Sequence, residues 1–336
     1  MRLWFFFGVF LFISPLQAKT DVLFLNPGIS QESFWGDVDS LFNKAAERFR
    51  LEVETLHADR DHFRMIRQAH EVALRSELPL YVVMVNEKQS GMRMLDVFYK
   101  KPVYIQFILN DISHFERQAL LKDAHWQHYL LPPIVPDNRS IGFATAEALM
   151  KGVTEQNPQV VLVSGDESTP ASVERTEGAL AALQSMTEVI TEQTVYGQWQ
   201  ETKAYQQAGV LLQRYPGLDA IWTANDHMAF GVIRAMKDIA AVPGRKIRIA
   251  SINTSAEVLA LRREGVINVL GGGHFLASGV ALANIRRHME TGEYPRRQIT
   301  LFRLLEPDTE FFTALEHRDW DSLLDIATAE HIALEH

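Results

Sequence analysis

The chain has 336 residues, no cysteine, and 47% apolar against 22% charged residues. That composition excludes a disordered or fibrous chain, and the length holds two domains of ordinary size. With 33 Lys+Arg against 42 Asp+Glu the formal net charge is −9, which argues against a general binder of nucleic acid or of an anionic membrane, because both need a basic face. Without cysteine there is no disulfide, no thiolate nucleophile, no cysteine-ligated metal and no lipidated N-terminal cysteine.

Residues 1–18 have the layout of a secretory signal. Arg2 gives a short positive start, residues 3–13 are almost wholly apolar, and Ser14-Pro15-Leu16-Gln17-Ala18 breaks the run and ends on a small residue. The run is too short to span a bilayer, which takes about 20 residues. Cleavage after Ala18 and an exported product are expected, periplasmic in a Gram-negative host.

From Asp21 onward the pattern alternates strand and helix. Residues 21–26 read as a buried strand ended by Pro27 and Gly28, 33–50 as an amphipathic helix, 51–56 as a strand and 61–75 as a helix. Strands follow at 80–85 and 103–108. Residues 111–136, rich in His, Trp, Tyr and Pro, read as irregular and as the best internal boundary. The alternation then restarts: helix 140–151, strand 160–163, helix 172–183, strand 189–195, helix 201–214, strand 220–223 and helix 225–239. Strand 247–252, helix 256–264, strand 267–270 and helix 276–291 follow, then a strand at 298–304 and short helices. Continuous apolar strands separated by helices specify a parallel sheet covered on both faces. The expected fold class is α/β, two doubly wound parallel-sheet lobes.

Lobes of this kind place binding groups beyond the carboxyl ends of their strands. Those positions hold Glu32, Phe34 and Trp35 after the first strand, and Asn86-Glu87-Lys88 and Asn110-Asp111 after the next two buried ones. In the second unit they hold residues 166–175 (ending in Arg175), Trp199, Asn225-Asp226, Asn253 and a Gly271-Gly272-Gly273-His274-Phe275 run. Aromatic faces with convergent planar hydrogen-bonding groups suit a small polyol or sugar-like ligand, whose C–H faces stack while its hydroxyls are bridged. The glycine run lacks the Lys-Ser/Thr of a phosphate loop, and His125 and His128 make a poor metal pair. No cofactor and no metal are expected. Nor is there a G-x-S-x-G elbow or an H-E-x-x-H helix, so an exported enzyme is disfavoured.

The order of these features resembles the type I periplasmic binding proteins, the ribose/galactose-binding class that includes the autoinducer-2 receptors. Glu32-Ser33-Phe34-Trp35 is similar to the family's polar residue and aromatic pair opening the first helix. Arg175-Thr176-Glu177-Gly178 is similar to its Arg-x-Glu-Gly, and the run from Ile221 through Asn225-Asp226-His227-Met228-Ala229 to Gly231 to its apolar strand, Asn-Asp and x-Met-Ala-x-Gly. Asp137-Asn138 resembles the family's hinge pair, and Trp199 its later aromatic. The resemblance implies two lobes joined by a three-strand hinge, 19–136 plus 275–303 and 137–274 plus 304–336, closing on a ligand. It also implies ligand contacts from Glu32, Phe34, Trp35, Asp137, Arg175, Trp199, Asn225, Asp226, Asn253 and His274. The sequence departs from the sugar binders where Phe107-Ile108 replaces an Asp-Arg pair and Asn253 replaces an Asp. Two outputs are implied: delivery of a sugar-like or polar solute to a membrane ABC permease, or presentation of the closed state to a sensor kinase. A dedicated kinase receptor with a carboxylate or other non-sugar ligand is the alternative. A lactose-repressor-type regulator shares the fold but needs an N-terminal DNA-binding unit, and here the first strand starts at Asp21 behind an export signal.

Overall fold

The computed structural model describes residues 20–30, 32–239, 246–295 and 300–332. The expected signal at 1–18 lies outside them, as do residues 296–299 of the expected strand at 298–304.

The first sheet is built from β1 (Val22–Asn26), β2 (Val53–His57), β3 (Tyr81–Met84) and β4 (Tyr104–Phe107), in the order β2-β1-β3-β4 and parallel throughout. β1 is buried along its whole length, so it reads as a continuous apolar run. Helix α1 (Ser33–Phe49) buries Trp35, Val38, Leu41, Phe42 and Ala45, the spacing of one helical face, and ends at Arg50 in the left-handed conformation (φ 54°). Helix α2 (His62–Ala73) starts at Asp61, whose carboxylate accepts from the Phe63 N–H at 2.9 Å. Between β3 and β4 runs α3 (Gly91–Phe98), a helix that the sequence reading leaves out.

The segment expected to be irregular, 111–136, contains two short helices, α4 (His114–Leu120) and α5 (Ala124–Tyr129). Ser113 and Glu116 form a reciprocal cap on α4, and Asp123 caps α5. The chain then runs beside β4, with parallel bridges Ile105–Leu130 and Ile108–Ile134. The segment is irregular in composition but extends the first sheet.

The second sheet takes β5 (Gln159–Ser164), β6 (Ile190–Tyr196), β7 (Leu218–Thr223), β8 (Arg248–Ile252), β9 (Val269–Gly272) and β10 (Arg303–Leu304). Its order is β10-β9-β8-β7-β5-β6, and β10 alone is antiparallel. The C-terminal strand is thus short, two described residues. The helices are α6 (Asn138–Lys151), α7 (Pro170–Gln184), α8 (Glu201–Arg214), α9 (Asp226–Asp238) and α10 (Ala256–Arg263).

Two helix pairs in this unit approach closely because glycine sits at the contact. A Cβ on Gly142 of α6 would run into the Arg175 carbonyl, and a Cβ on Gly178 of α7 into the Arg139 carbonyl. Gly231 of α9 stands likewise against the backbone of Glu201 on α8. The glycines of the two family-like motifs therefore set helix packing rather than touch a ligand.

The chain passes between the two sheets at 134–138 and at 273–277, and a third time between α11 (Ala277–Thr291) and β10. After the second passage α11 packs on α1, and after the third α12 (Glu310–His317) lies by the second sheet, where Arg263 pairs with Glu316 at 2.7 Å. α13 (Trp320–Ile332) packs on α1 and α11, with Lys44 paired to Asp321 at 3.0 Å. Among the described residues no helix is long and apolar enough to cross a membrane.

Candidate functional site

The carboxyl ends of the strands of both sheets face one cavity. From the first sheet come Glu32, Phe34 and Trp35 after β1, Arg60 after β2, Glu87 after β3, and Leu109 and Asn110 after β4. From the second come Thr169 and Arg175 after β5, Trp199 after β6, Asn225 and His227 after β7, Asn253 after β8 and His274 after β9. Pro136 and Asn138, on the first passage between sheets, close one side.

Arg175 is the central cation. It is 4% exposed. Its Nε donates to Asn138 Oδ1 at 3.0 Å and its Nη1 to the Ala224 carbonyl at 2.9 Å. Its guanidinium lies over Phe302 (5.2 Å) and Trp199 (5.9 Å). Burial lowers the guanidinium to about 9, against the pull of Glu174 and Asp226. It remains charged at neutral pH, and its fixed fork is suited to planar or paired oxygen acceptors.

A column of flat rings runs beside it. His274 stacks on Phe34 (4.4 Å) and on Phe302 (4.6 Å), joining helix α1 to the second and third passages between sheets. Burial, reinforced by Arg175, holds its imidazole well below the ordinary histidine value, so the ring is neutral. Trp35 meets Phe34 edge-on at 5.0 Å, and Arg60 lies over the Trp35 ring at 5.7 Å. Glu32 holds Arg60 by a two-point ion pair, one arm of which is Nε to Oε2 at 3.0 Å.

Among the described residues that line the cavity, four have a buried side-chain polar atom with no hydrogen-bond partner: Trp35 Nε1, Thr169 Oγ1, Asn253 Oδ1 and His274 Nδ1. Buried polar groups are normally paired, and each one left unmade costs about 1–3 kcal/mol. They come from four elements and both sheets, and they include a donor (Trp35 Nε1) and an acceptor (Asn253 Oδ1).

Two expected contacts lie off the wall. Asp137 is exposed and spends its carboxylate capping α6, accepting from Ser140 N–H at 2.9 Å and Ser140 Oγ at 2.7 Å. The next residue, Asn138, enters the cavity instead, because the helix turns its first residue inward. Asp226 is fully buried but does not line the cavity; its Oδ1 accepts from Asn253 Nδ2 at 2.8 Å and from the His227 N–H at 2.9 Å. It positions Asn253, whose backbone takes φ 147°. The other expected residues, Glu32, Phe34, Trp35, Arg175, Trp199, Asn225, Asn253 and His274, all line the cavity. Arg60, Glu87, Asn110, Asn138, Thr169 and His227 are additions.

Direct contacts join the two sides. Ser33 Oγ meets His227 Nε2 at 3.2 Å, and Asn110 Oδ1 accepts from the Ala171 N–H at 3.2 Å. Asp37 of α1 accepts from Thr254 Oγ1 at 3.3 Å and pairs with Arg318 at 3.1 Å, while Arg318 Nη2 donates to the Thr254 carbonyl at 2.9 Å. These contacts describe a closed cleft.

Burial raises the Asp37 carboxyl to about 7, although Arg318 and the Thr254 hydroxyl oppose the shift. The folded value lies above the unfolded one, so its stabilisation is present below about pH 4 and is lost as pH rises through about 7. The loss amounts to up to about 4 kcal/mol. Thermal melting of the protein and of Asp37→Asn between pH 4 and 8 should show the wild type losing stability relative to the variant over that window. Parallel curves would contradict the buried, interface-bound carboxyl.

Comparison with known proteins places this geometry. Residues 133–283 match the sequence model of a family described as periplasmic binding protein domain. A crystal structure of a periplasmic sugar-binding protein from Pseudomonas fluorescens superposes with a TM-score of 0.80, 28% identity, and 91% and 92% of the two chains covered. The fold is that of a type I periplasmic binding protein, and residues 133–283 carry the family's domain. The D-allose-binding periplasmic protein of Escherichia coli (strain K12) is 27% identical over 103 residues, 31% of this chain and 33% of that relative. The chain thus matches about a third of that curated relative's length. An ABC transporter periplasmic solute-binding protein from Actinobacillus succinogenes 130z, with bound D-allose, shares the fold at a TM-score of 0.76 and 12% identity, covering 89% of this chain and 100% of that one. The matched family model and the superposed structures are those of binding proteins.

Proposed function

We propose that the protein is an exported solute receptor whose two lobes close on a small neutral, hydroxyl-rich ligand of the sugar or polyol class. The observation that carries this reading is the set of unpartnered buried atoms, Trp35 Nε1, Thr169 Oγ1, Asn253 Oδ1 and His274 Nδ1, set among aromatic faces around one cavity. A polyol answers it, because each hydroxyl both donates and accepts while the C–H faces stack. The names of the relatives, which include sugar-binding and D-allose-binding proteins, support the same class.

The mechanism is a population shift. A ligand that touches both lobes binds the closed form more tightly and moves the equilibrium toward it. The three passages between sheets serve as the hinge. The lobes are 19–136 with 275–302, and 137–274 with the segment from β10 through α12; α13 goes with the first lobe, on whose helices it packs. The closed form then engages a membrane partner, an ABC permease for delivery or a sensor kinase for signalling. Export to the periplasm with cleavage after Ala18 completes the reading; the intact mass of the exported protein checks that site.

A thermal-shift panel of pentoses, hexoses, polyols and small carboxylates tests the ligand class. A ligand at 100 times its Kd adds about 2.7 kcal/mol of stability. A shift with neutral sugars or polyols is expected. A shift with carboxylates alone would recast Arg175 as an anion clamp and overturn the reading. In the same assay Trp199→Ala should weaken binding by roughly 1–3 kcal/mol, the worth of a stacking aromatic face.

A further inference from the structure

Glu87 is the charged group in the cavity wall to which the sugar-receptor reading gives no task. The turn after β3 fixes its position. Asn86 Oδ1 accepts from the Gly91 N–H at 2.8 Å and Asn86 Nδ2 donates to the Asp111 carbonyl at 2.9 Å. Lys88 (φ 46°) and Gln89 (φ 60°) both take the left-handed conformation, which swings their side chains out and leaves Glu87 turned in. Glu87 is 4% exposed, lines the cavity, and has no side-chain hydrogen bond among the described residues.

Four charged groups act on its charge. Arg60, from the turn after β2, is engaged by Glu32 at two points; Lys88 stands exposed on Glu87's own turn; Glu32 and, from the second lobe, Asp166 add negative charge. Burial, with Asp166 and Glu32, pushes the Glu87 carboxyl up, and Arg60 and Lys88 pull it back. A carboxylate closed off here has no cation of its own. A buried charge of that kind is either paired or neutralised by a proton. Arg60 and Lys88 nearby disfavour a ligand ammonium at the same place, which leaves the proton.

We propose that Glu87 enters the closed, liganded state as the carboxylic acid and donates its proton to a ligand hydroxyl, so that closure on a neutral sugar takes up one proton. This rests on the sugar-receptor reading and adds to it a proton-linked polar contact.

The sign follows from linkage. In an open cleft Glu87 meets water and titrates lower than in the closed one, where burial pushes it up. Below the open-cleft value both states carry the proton, and affinity does not vary. Above it the free protein has shed a proton that the complex needs. Affinity therefore falls with rising pH, by at most about tenfold per unit, until the value in the complex is passed.

Calorimetric titration with D-allose and with myo-inositol at pH 5, 6 and 7, each in two buffers of different ionisation enthalpy, tests this. The wild type should bind more weakly as pH rises and take up protons, at most one per ligand. Glu87→Gln keeps a donor of the same shape; it should bind with a pH-invariant Kd and without that uptake. The wild-type proton count stands however the variant folds. Wild-type binding with no uptake and no pH dependence would overturn the proposal, as would a Glu87→Gln protein that keeps the full uptake. If neither sugar binds the wild type at any pH, the sugar-receptor reading falls first and this proposal with it.

Discussion

Arg175→Met should abolish ligand binding at concentrations that saturate the wild type. The guanidinium lies in the cavity wall with Nε fixed by Asn138 and Nη1 by the Ala224 carbonyl, between the faces of Trp199 and Phe302. Truncating a buried, hydrogen-bonded charge in a binding site costs about 2–5 kcal/mol, roughly 30-fold to several thousand-fold in Kd. Methionine keeps much of the volume and removes the charge and the donors. Arg175→Lys keeps the charge but loses the rigid fork, and should fall between the two. Calorimetry on a ligand found in the panel reads both. An Arg175→Met protein with wild-type affinity would mean that the ligand binds elsewhere.

Gly178→Ala should destabilise the protein by about 1–3 kcal/mol, a fall in melting temperature of roughly 2–12 °C for a unit of this size. Alanine is the better helix former by about 0.5–1 kcal/mol, so the sign rests on packing. The new methyl would be driven into the Arg139 carbonyl, and α7 would have to move off α6. Those helices carry Arg175 and Asn138, so ligand affinity should fall as well. Gly209→Ala on α8 is the control: its Cβ would meet only the Ile239 Cδ1, at an ordinary 3.8 Å. It should be neutral or mildly stabilising. Equal effects of the two substitutions would refute close helix approach as the reason for the glycine.

The sequence made the alternation of strands and helices legible because buried parallel strands leave unbroken apolar runs, as at Val22–Asn26 and Leu218–Thr223. It also located most of the cavity, since strand order sends successive carboxyl ends to one side. The segment 111–136 was harder to read. Its helices are six and seven residues long and bury little, so they carry no clear periodicity, although the Ser113-x-x-Glu116 pair is a capping signature that marks one of them.

At the site, the differences between the expected residues and the cavity lining turn on single residues at helix starts. Asp137 and Asn138 are neighbours, as are Asp226 and His227. Which side chain enters the cavity depends on where the first helical turn begins, and propensity fixes that only to a residue or two. Arg60 was missed for another reason. Asp59 (φ 52°) and Arg60 (φ 64°) are both left-handed and reverse the chain after β2, placing the guanidinium over Trp35. Neither residue type announces that conformation. Phe302 was missed because it belongs to the third passage between sheets, whose neighbours come from distant parts of the chain.

The central claim is that one ligand bridges both lobes and holds them closed. Small-angle X-ray scattering of the protein, alone and with a saturating ligand from the panel, tests it most directly. The account predicts a smaller radius of gyration with ligand, and an Arg175→Met protein whose scattering the same ligand leaves unchanged. Saturating binding that leaves the wild-type radius of gyration unchanged from a ligand-free protein still open in solution would contradict closure on the ligand.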